Sequence, residues 1–348
     1  MNVIFSFDSE DYLTPEAADA EKWWAVELTR RGLRGSFQCV AELIRSLQKC
    51  GRQDVIDAIA RHEIGYHSNY HSLPPHHPVA LDGMNLEKGI EWIFRRESSG
   101  LVILMETFGR MPVNYCPPGD SWTPHCLLAM ASAGIKVFCG APVAFPKPFW
   151  YCGLLNVKYH LSFESVFEEN DGKKAAAWFK AVFGALAKEV GQEGILVVYT
   201  HPTRLVTTRF WDQVFYKGAL PLRRLWKPAP LRGVKAIVRI KDRCRLLLDW
   251  IQAMKGVKVI DYAELYARHS RKRMDLQYLL DECGLKPGEE TKLPLRNSMH
   301  GDEFSDSLQN IKYKWSLYQD GFKGEKLRKL FAQLAWTAGK PTGDRLKT

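Results

Sequence analysis

The sequence predicts an α/β fold, either a barrel or a doubly wound sheet, on three observations. An apolar and aromatic run from Asn2 to Phe7 leads straight into an acidic stretch, as a buried parallel strand does when it ends at a ligand-binding edge. Strand-like and helix-like segments then alternate over about 265 residues, the signature of repeated βα units. With 348 residues, 46% hydrophobic and 25% charged, the chain can bury a large core and has the makeup of a globular protein.

The elements follow in order. Residues 2–7 form the first strand, 16–31 have helical composition, and 35–40 read as a second strand after a glycine-rich break. Residues 52–62 place Val55, Ile56, Ile59 and Ala60 at the spacing of one helix face. A strand-like stretch, Glu63 to Tyr66, then delivers His67. Further on, 86–97, 123–133, 173–190 and 234–254 look helical, and 135–139, 195–200 and 257–260 look like strands. Two proline-rich loops, 141–150 and 217–230, interrupt the pattern. The alternation ends near Arg268, which divides the chain into a domain over 1–268 and a basic helical C-terminal extension over 269–348.

Four segments carry candidate chemistry. Asp8, Glu10 and Asp11 crowd three carboxylates at the end of the first strand, a repulsive arrangement that a cation relieves. His67 and His71 stand at i and i+4, the spacing of one face of a helical turn. Two neutral imidazoles plus a carboxylate leave positions open for water and substrate on zinc or a similar ion. Pro117, Pro118 and Gly119 make a rigid turn in which the Gly119 N–H is available to an oxyanion. A buried strand from Ile195 to Thr200 ends on His201, at the same edge of the fold.

In this order the segments resemble the motifs of the polysaccharide deacetylase (NodB-homology) family, carbohydrate esterase family four, in an atypical subgroup. The resemblance covers residues 1 to about 268. It implies an irregular (β/α) barrel of about seven parallel strands and a hydrolase of non-peptide carbon–nitrogen bonds that removes acetyl or formyl from an amino sugar. It further implies that Asp8 is the general base, His201 the general acid and the Gly119 amide an oxyanion donor. His67 and His71 would be ligands of a divalent metal, zinc or else nickel, cobalt or manganese, with Glu10 or Asp11 as the third ligand and Glu10 favoured by spacing. Two departures stand out: Cys116 occupies the place of an arginine that holds the base, and the motif that orients the acid histidine has no clear counterpart, with Glu164 and Asp171 as candidates. These departures keep open an allantoinase-like hydrolase of small amides with little metal dependence, and a pseudoenzyme that binds a glycan or partner.

Charge is unevenly spread. Residues 1–218 hold 22 Lys and Arg against 24 Asp and Glu, leaving 27 against 15 in 219–348. The basic region suits an anionic membrane surface by simple electrostatics, and no recognisable module points to nucleic acid. Eight cysteines without paired spacing predict reduced thiols. The first residues lack a basic and apolar leader, so a cytoplasmic protein, peripheral at the inner membrane surface, is expected.

Overall fold

The computed structural model describes residues 1–140, 147–168, 171–212, 226–269 and 286. Along the chain, β1 (Asn2–Ser9) leads to α1 (Pro15–Arg30), β2 (Ser36–Cys39), α2 (Ala41–Lys49), α3 (Gln53–Ala60) and β3 (Glu63–Tyr66). Next come α4 (His77–Ala80), α5 (Leu86–Phe108), β4 (Asn114–Tyr115), α6 (Pro124–Ala133), β5 (Val137–Cys139), β6 (Phe149–Tyr151), β7 (Leu154–Val157) and β8 (Leu161–Ser162). The last elements are α7 (Gly172–Val190), β9 (Ile195–Thr200), α8 (Val234–Gln252), β10 (Lys258–Val259) and α9 (Tyr262–His269). No described helix is long and apolar enough to cross a membrane.

The chain forms two compact units. The first comprises Met1–Pro74, Ser99–Pro112 and Tyr159–Leu265. Its sheet runs β3-β2-β1-β9-β8, with β10 also on β1, and every pair is parallel. The second comprises, among the described residues, Pro75–Ser98, Val113–Lys158 and the end of α9 from Tyr266. There β4, β5 and β7 pair in parallel and β6 closes the row antiparallel on β7. The fold is therefore α/β with dominant parallel pairing, as the expected irregular (β/α) barrel requires. Helix α2 is absent from the expected elements although Ala41, Leu43, Ile44 and Leu47 have the spacing of one helix face. The short α4 and the small strands β4, β6, β7 and β8 are too brief to show a period, and α5 runs 11 residues beyond its expected end at 97. The expected extension over 269–348 lies almost wholly outside the described residues.

Parallel strands covered on both faces become continuous apolar runs. All eight residues of β1 are buried accordingly. On the helix side of the first unit, Phe7 stacks on Phe37 at 4.8 Å between ring centres and meets Trp24 of α1 at 5.2 Å. Trp24 continues to Phe163 and Phe179, so one aromatic column fixes α1 and α7 on the sheet. Each such side chain removed from water contributes about 1.5–3 kcal/mol. Gly35 is needed here, because a Cβ would lie 2.6 Å from Leu28 Cδ1 and 2.8 Å from Phe7 Cε2. The seven cysteines among the described residues are free thiols.

His62 and Glu63, next to the histidine motif, serve the scaffold. His62 Nε2 lies 2.8 Å from the Ala25 carbonyl, and its Nδ1 accepts the Gly35 N–H. Glu63 accepts the Ser36 hydroxyl at 2.7 Å and the N–H groups of Tyr262 and Ala263 at 3.2 and 2.6 Å, so it caps the start of α9. Burial, and then the charge of Asp261, raises Glu63 to about 7. Folding thus favours its protonated form: that stabilisation is complete below the ordinary carboxyl pKa and is lost as pH rises to about 7. Urea unfolding should show stability falling by on the order of 1–3 kcal/mol between pH 5 and pH 8, with Glu63→Gln flattening the slope. Parallel pH profiles for the two proteins would contradict this assignment.

Candidate active site

The acidic cluster sits where β1 ends, and burial sorts its three carboxylates by what each one touches. Asp11 is committed to the backbone: Oδ1 accepts the N–H groups of Leu13 and Thr14 at 2.9 and 2.8 Å, and Oδ2 accepts the Thr203 hydroxyl at 2.6 Å. These bonds shape the entry to α1, which begins at Pro15 and receives no cap from the Thr14 side chain. Burial raises Asp11 to about 6 despite those donors.

Glu10 points the other way. Its Oε1 accepts the Trp211 indole N–H at 2.9 Å, and its Oε2 lies 2.8 Å from His71 Nε2 and 3.3 Å from His67 Nε2. Glu10, His67 and His71 are each more than nine-tenths buried, and each offers one ligand atom within 4.8 Å of the others.

The backbone that presents the histidines differs from the helical turn expected of their spacing. β3 stops at Tyr66, and residues 67–72 form an irregular turn. Ser68 and His71 are left-handed, at φ 72° and 56°, which costs non-glycine residues about 1–3 kcal/mol each. The Ser68 hydroxyl accepts the His71 N–H at 2.8 Å and holds this shape. No glycine marks the turn, so the i, i+4 spacing suggested a helix where a strained loop does the work.

A second layer orients His71. Its Nδ1 is 2.9 Å from Ser72 Oγ and 3.3 Å from Asp212 Oδ2, and the Ser72 hydroxyl donates to Asp212 at 2.7 Å. Fixing one ring nitrogen on a carboxylate or hydroxyl is how proteins set a ligating histidine's tautomer. Burial works against a charged imidazole, yet Glu10 and Asp212 together raise His71 to about 10. Burial likewise opposes ionisation of Glu10, but His71, His201 and His67 hold it well below the usual range. The pocket therefore calls for positive charge between buried carboxylates. A divalent cation meets that demand with both imidazoles neutral, and a set of two histidines and a glutamate suits zinc and its neighbours. The residues fit a metal.

Asp8 lies at the edge of this cluster. Tyr159 donates its hydroxyl to Asp8 Oδ1 at 2.9 Å, while Oδ2 is 3.6 Å from His201 Nε2. Burial pushes Asp8 up against the pull of His67 and His201. His201 follows β9, and its Nδ1 is 2.6 Å from Glu164 Oε1, which also accepts the His201 backbone N–H at 3.1 Å. Burial would lower His201, but Glu164 and Glu10 raise it to about 10. Arg204 braces Glu164 at 3.5 Å. Asp171, the other sequence candidate for orienting His201, instead caps α7 by accepting the Lys173 and Lys174 N–H groups.

The first unit thus gathers Asp8, Glu10, His67, His71 and His201, with Asp11 alongside but engaged elsewhere. Gly119 and Cys116 belong to the second unit. Gly119 lies in a short 3-10 turn, Pro118–Asp120, at φ 57° and ψ 31°, a backbone that suits glycine, and Cys116 is buried just before it. Sequence reasoning missed Tyr159, Ser72, Trp211, Asp212 and Arg204, and no motif spacing signals them. His77 is buried at the start of α4, with Nε2 3.0 Å from Glu97 and Nδ1 3.2 Å from Cys126 Sγ.

Comparison with solved structures places this fold. A protein from Mycobacterium smegmatis assigned as a polysaccharide deacetylase aligns at TM-score 0.51 and 17% identity, over 86% of this chain and 94% of its own. One from Pseudomonas aeruginosa PAO1, also assigned as a polysaccharide deacetylase, aligns at TM-score 0.52 and 14% identity, over 78% of this chain and 91% of its own. Puue allantoinase gives TM-score 0.51 at 14% identity with the same coverages of 78% and 91%. No protein-family model matches the sequence, and no curated protein does. The chain shares the fold of these solved structures.

Proposed function

We propose that the chain hydrolyses carbon–nitrogen amide bonds, removing an acetyl or formyl group from an amino sugar with the help of one divalent metal ion, zinc in the first instance. The observation that carries this reading is the convergence of Glu10, His67 and His71 beside the Asp8–His201 pair. Glu10 is the third ligand in this reading, because both oxygens of Asp11 are already engaged. Glu10, His67 and His71 would hold the ion, which would supply Lewis acidity to the amide carbonyl and to the attacking water.

The protein's own groups handle the protons. Asp8, steadied through Oδ1 by Tyr159, leaves Oδ2 to take a proton from the attacking water. A carboxylate raised by burial is a stronger base than one in solvent. His201, with Nδ1 on Glu164, keeps Nε2–H for the leaving nitrogen, and its raised affinity for a proton keeps it charged at neutral pH. A carbon–oxygen bond forms, the carbon–nitrogen bond breaks, and an amine and a short carboxylate leave. Tyr159 supplies the support for Asp8 that an arginine gives in the resembled motif.

The similarity to an allantoinase keeps a second reading in view, a small-amide hydrolase with little metal dependence. Metal analysis of the purified protein and acetate or formate release from N-acyl amino sugars test both. One equivalent of metal and turnover abolished by chelation are expected. Turnover that survives chelation would favour the small-amide reading, and metal-free protein inert on every amide would leave a binding protein.

A further inference from the structure

The outer edge of α8 and the segment before it expose apolar side chains: Leu231 is 47% exposed, Val234 77% and Val238 51%. Lys227, Lys235 and Arg239 stand among them, also exposed. Val234 and Val238 are one helical turn apart, and Lys235 and Arg239 form the adjoining stripe. None of these three cations has an ion-pair partner among the described residues. Cations nearer the fold are matched instead: Arg232 pairs with Glu168, and Arg245 pairs with Glu27 and Asp242. Arg243 donates to the Val166 carbonyl at 2.8 Å. A single exposed valine needs no explanation. Three apolar side chains interleaved with three unmatched cations on one edge do.

We propose that this edge docks on the headgroup layer of an anionic lipid bilayer. The cations meet lipid phosphates while Leu231, Val234 and Val238 enter the apolar boundary, so both features are satisfied at once. A nucleic acid would use the cations and leave the valines in water. The same segment is tied to the loop that carries His201 and Trp211. The Arg232 N–H donates to the Val206 carbonyl at 2.8 Å, the Thr208 N–H to the Pro230 carbonyl at 2.9 Å, and the Ala229 N–H to Thr14 Oγ1 at 3.0 Å. Trp211 in turn reaches Glu10. Docking therefore sets the candidate site beside the lipid surface, where an amino sugar attached to a lipid carrier would be presented. This last step rests on the proposed function, whereas the docking does not.

Vesicle flotation with the full-length chain tests the edge directly. Wild type should float with phosphatidylglycerol-containing vesicles and stay down with phosphatidylcholine alone, and added salt should weaken the association. Replacing Lys235 and Arg239 by serine should lower partitioning on the order of 5-fold per charge. Val234→Ser with Val238→Ser should lower it as well. These side chains are exposed, so melting curves and turnover of a water-soluble substrate should match wild type. Wild type that ignores anionic vesicles, variants that bind undiminished, or retention on duplex DNA in place of vesicles would each overturn the proposal. Absence of turnover with flotation intact would strike the hydrolase reading alone.

Discussion

His67→Ala and His71→Ala should each yield protein that folds but retains no stoichiometric metal, with turnover falling by more than about 100-fold. The argument rests on number and placement. Glu10, His67 and His71 supply two imidazoles and one carboxylate, so losing either histidine leaves two of that set for an ion that prefers at least three donors from the protein. Stability should fall as well in His71→Ala, because Glu10 and Asp212 are then left buried without the positive charge between them, while the left-handed backbone at position 71 stays as strained for alanine as for histidine. Asp212→Asn is the graded companion: it keeps every ligand and removes only the carboxylate behind His71, so metal affinity should fall roughly 10- to 100-fold. Metal titration followed by calorimetry reads all three. Equal affinity in wild type and His71→Ala would remove His71 from the site.

Which residues were legible in the sequence follows from how each is held. Asp8, Glu10 and His201 stand at or just beyond the ends of buried apolar runs, and strand ends at one edge of a parallel sheet converge whatever the loops do. His67 and His71 were visible as a pair, but their turn was not, because its left-handed residues are a serine and a histidine where glycine would have signalled the bend. The supporting groups were invisible for another reason. Tyr159 reaches Asp8 across 151 residues and Asp212 reaches Ser72 across 140, whereas Glu164, 37 residues from His201, was already one of the two candidates for orienting it. No local periodicity encodes such contacts; only the folded chain brings them together. Cys116 looked like the loss of a support for Asp8, and Tyr159, in the loop between β7 and β8, provides another. The spacing argument for Glu10 over Asp11 had no physical content until the hydrogen bonds of Asp11 gave it one.

Asp8→Asn should lower kcat about 10²- to 10⁴-fold, the usual range for a lost general base, with metal content and KM close to wild type. The asparagine still accepts the Tyr159 hydroxyl through its oxygen, so the pocket keeps its shape while the proton acceptor disappears. Glu164→Gln probes the other half of the pair through pH. Glu164 is the largest of the contributions that raise His201 to about 10, and its loss lowers the imidazolium pKa. A general acid must be protonated to act, so activity falls on the alkaline side as pH passes that pKa. The alkaline limb of the kcat/KM profile should therefore move to lower pH in Glu164→Gln, with the loss smallest in mildly acidic buffer. A role for Glu164 in packing alone would scale the whole profile down without moving the limb. That result would remove Glu164 as the group that sets the proton affinity of His201 and leave this task to Glu10 and Asp8.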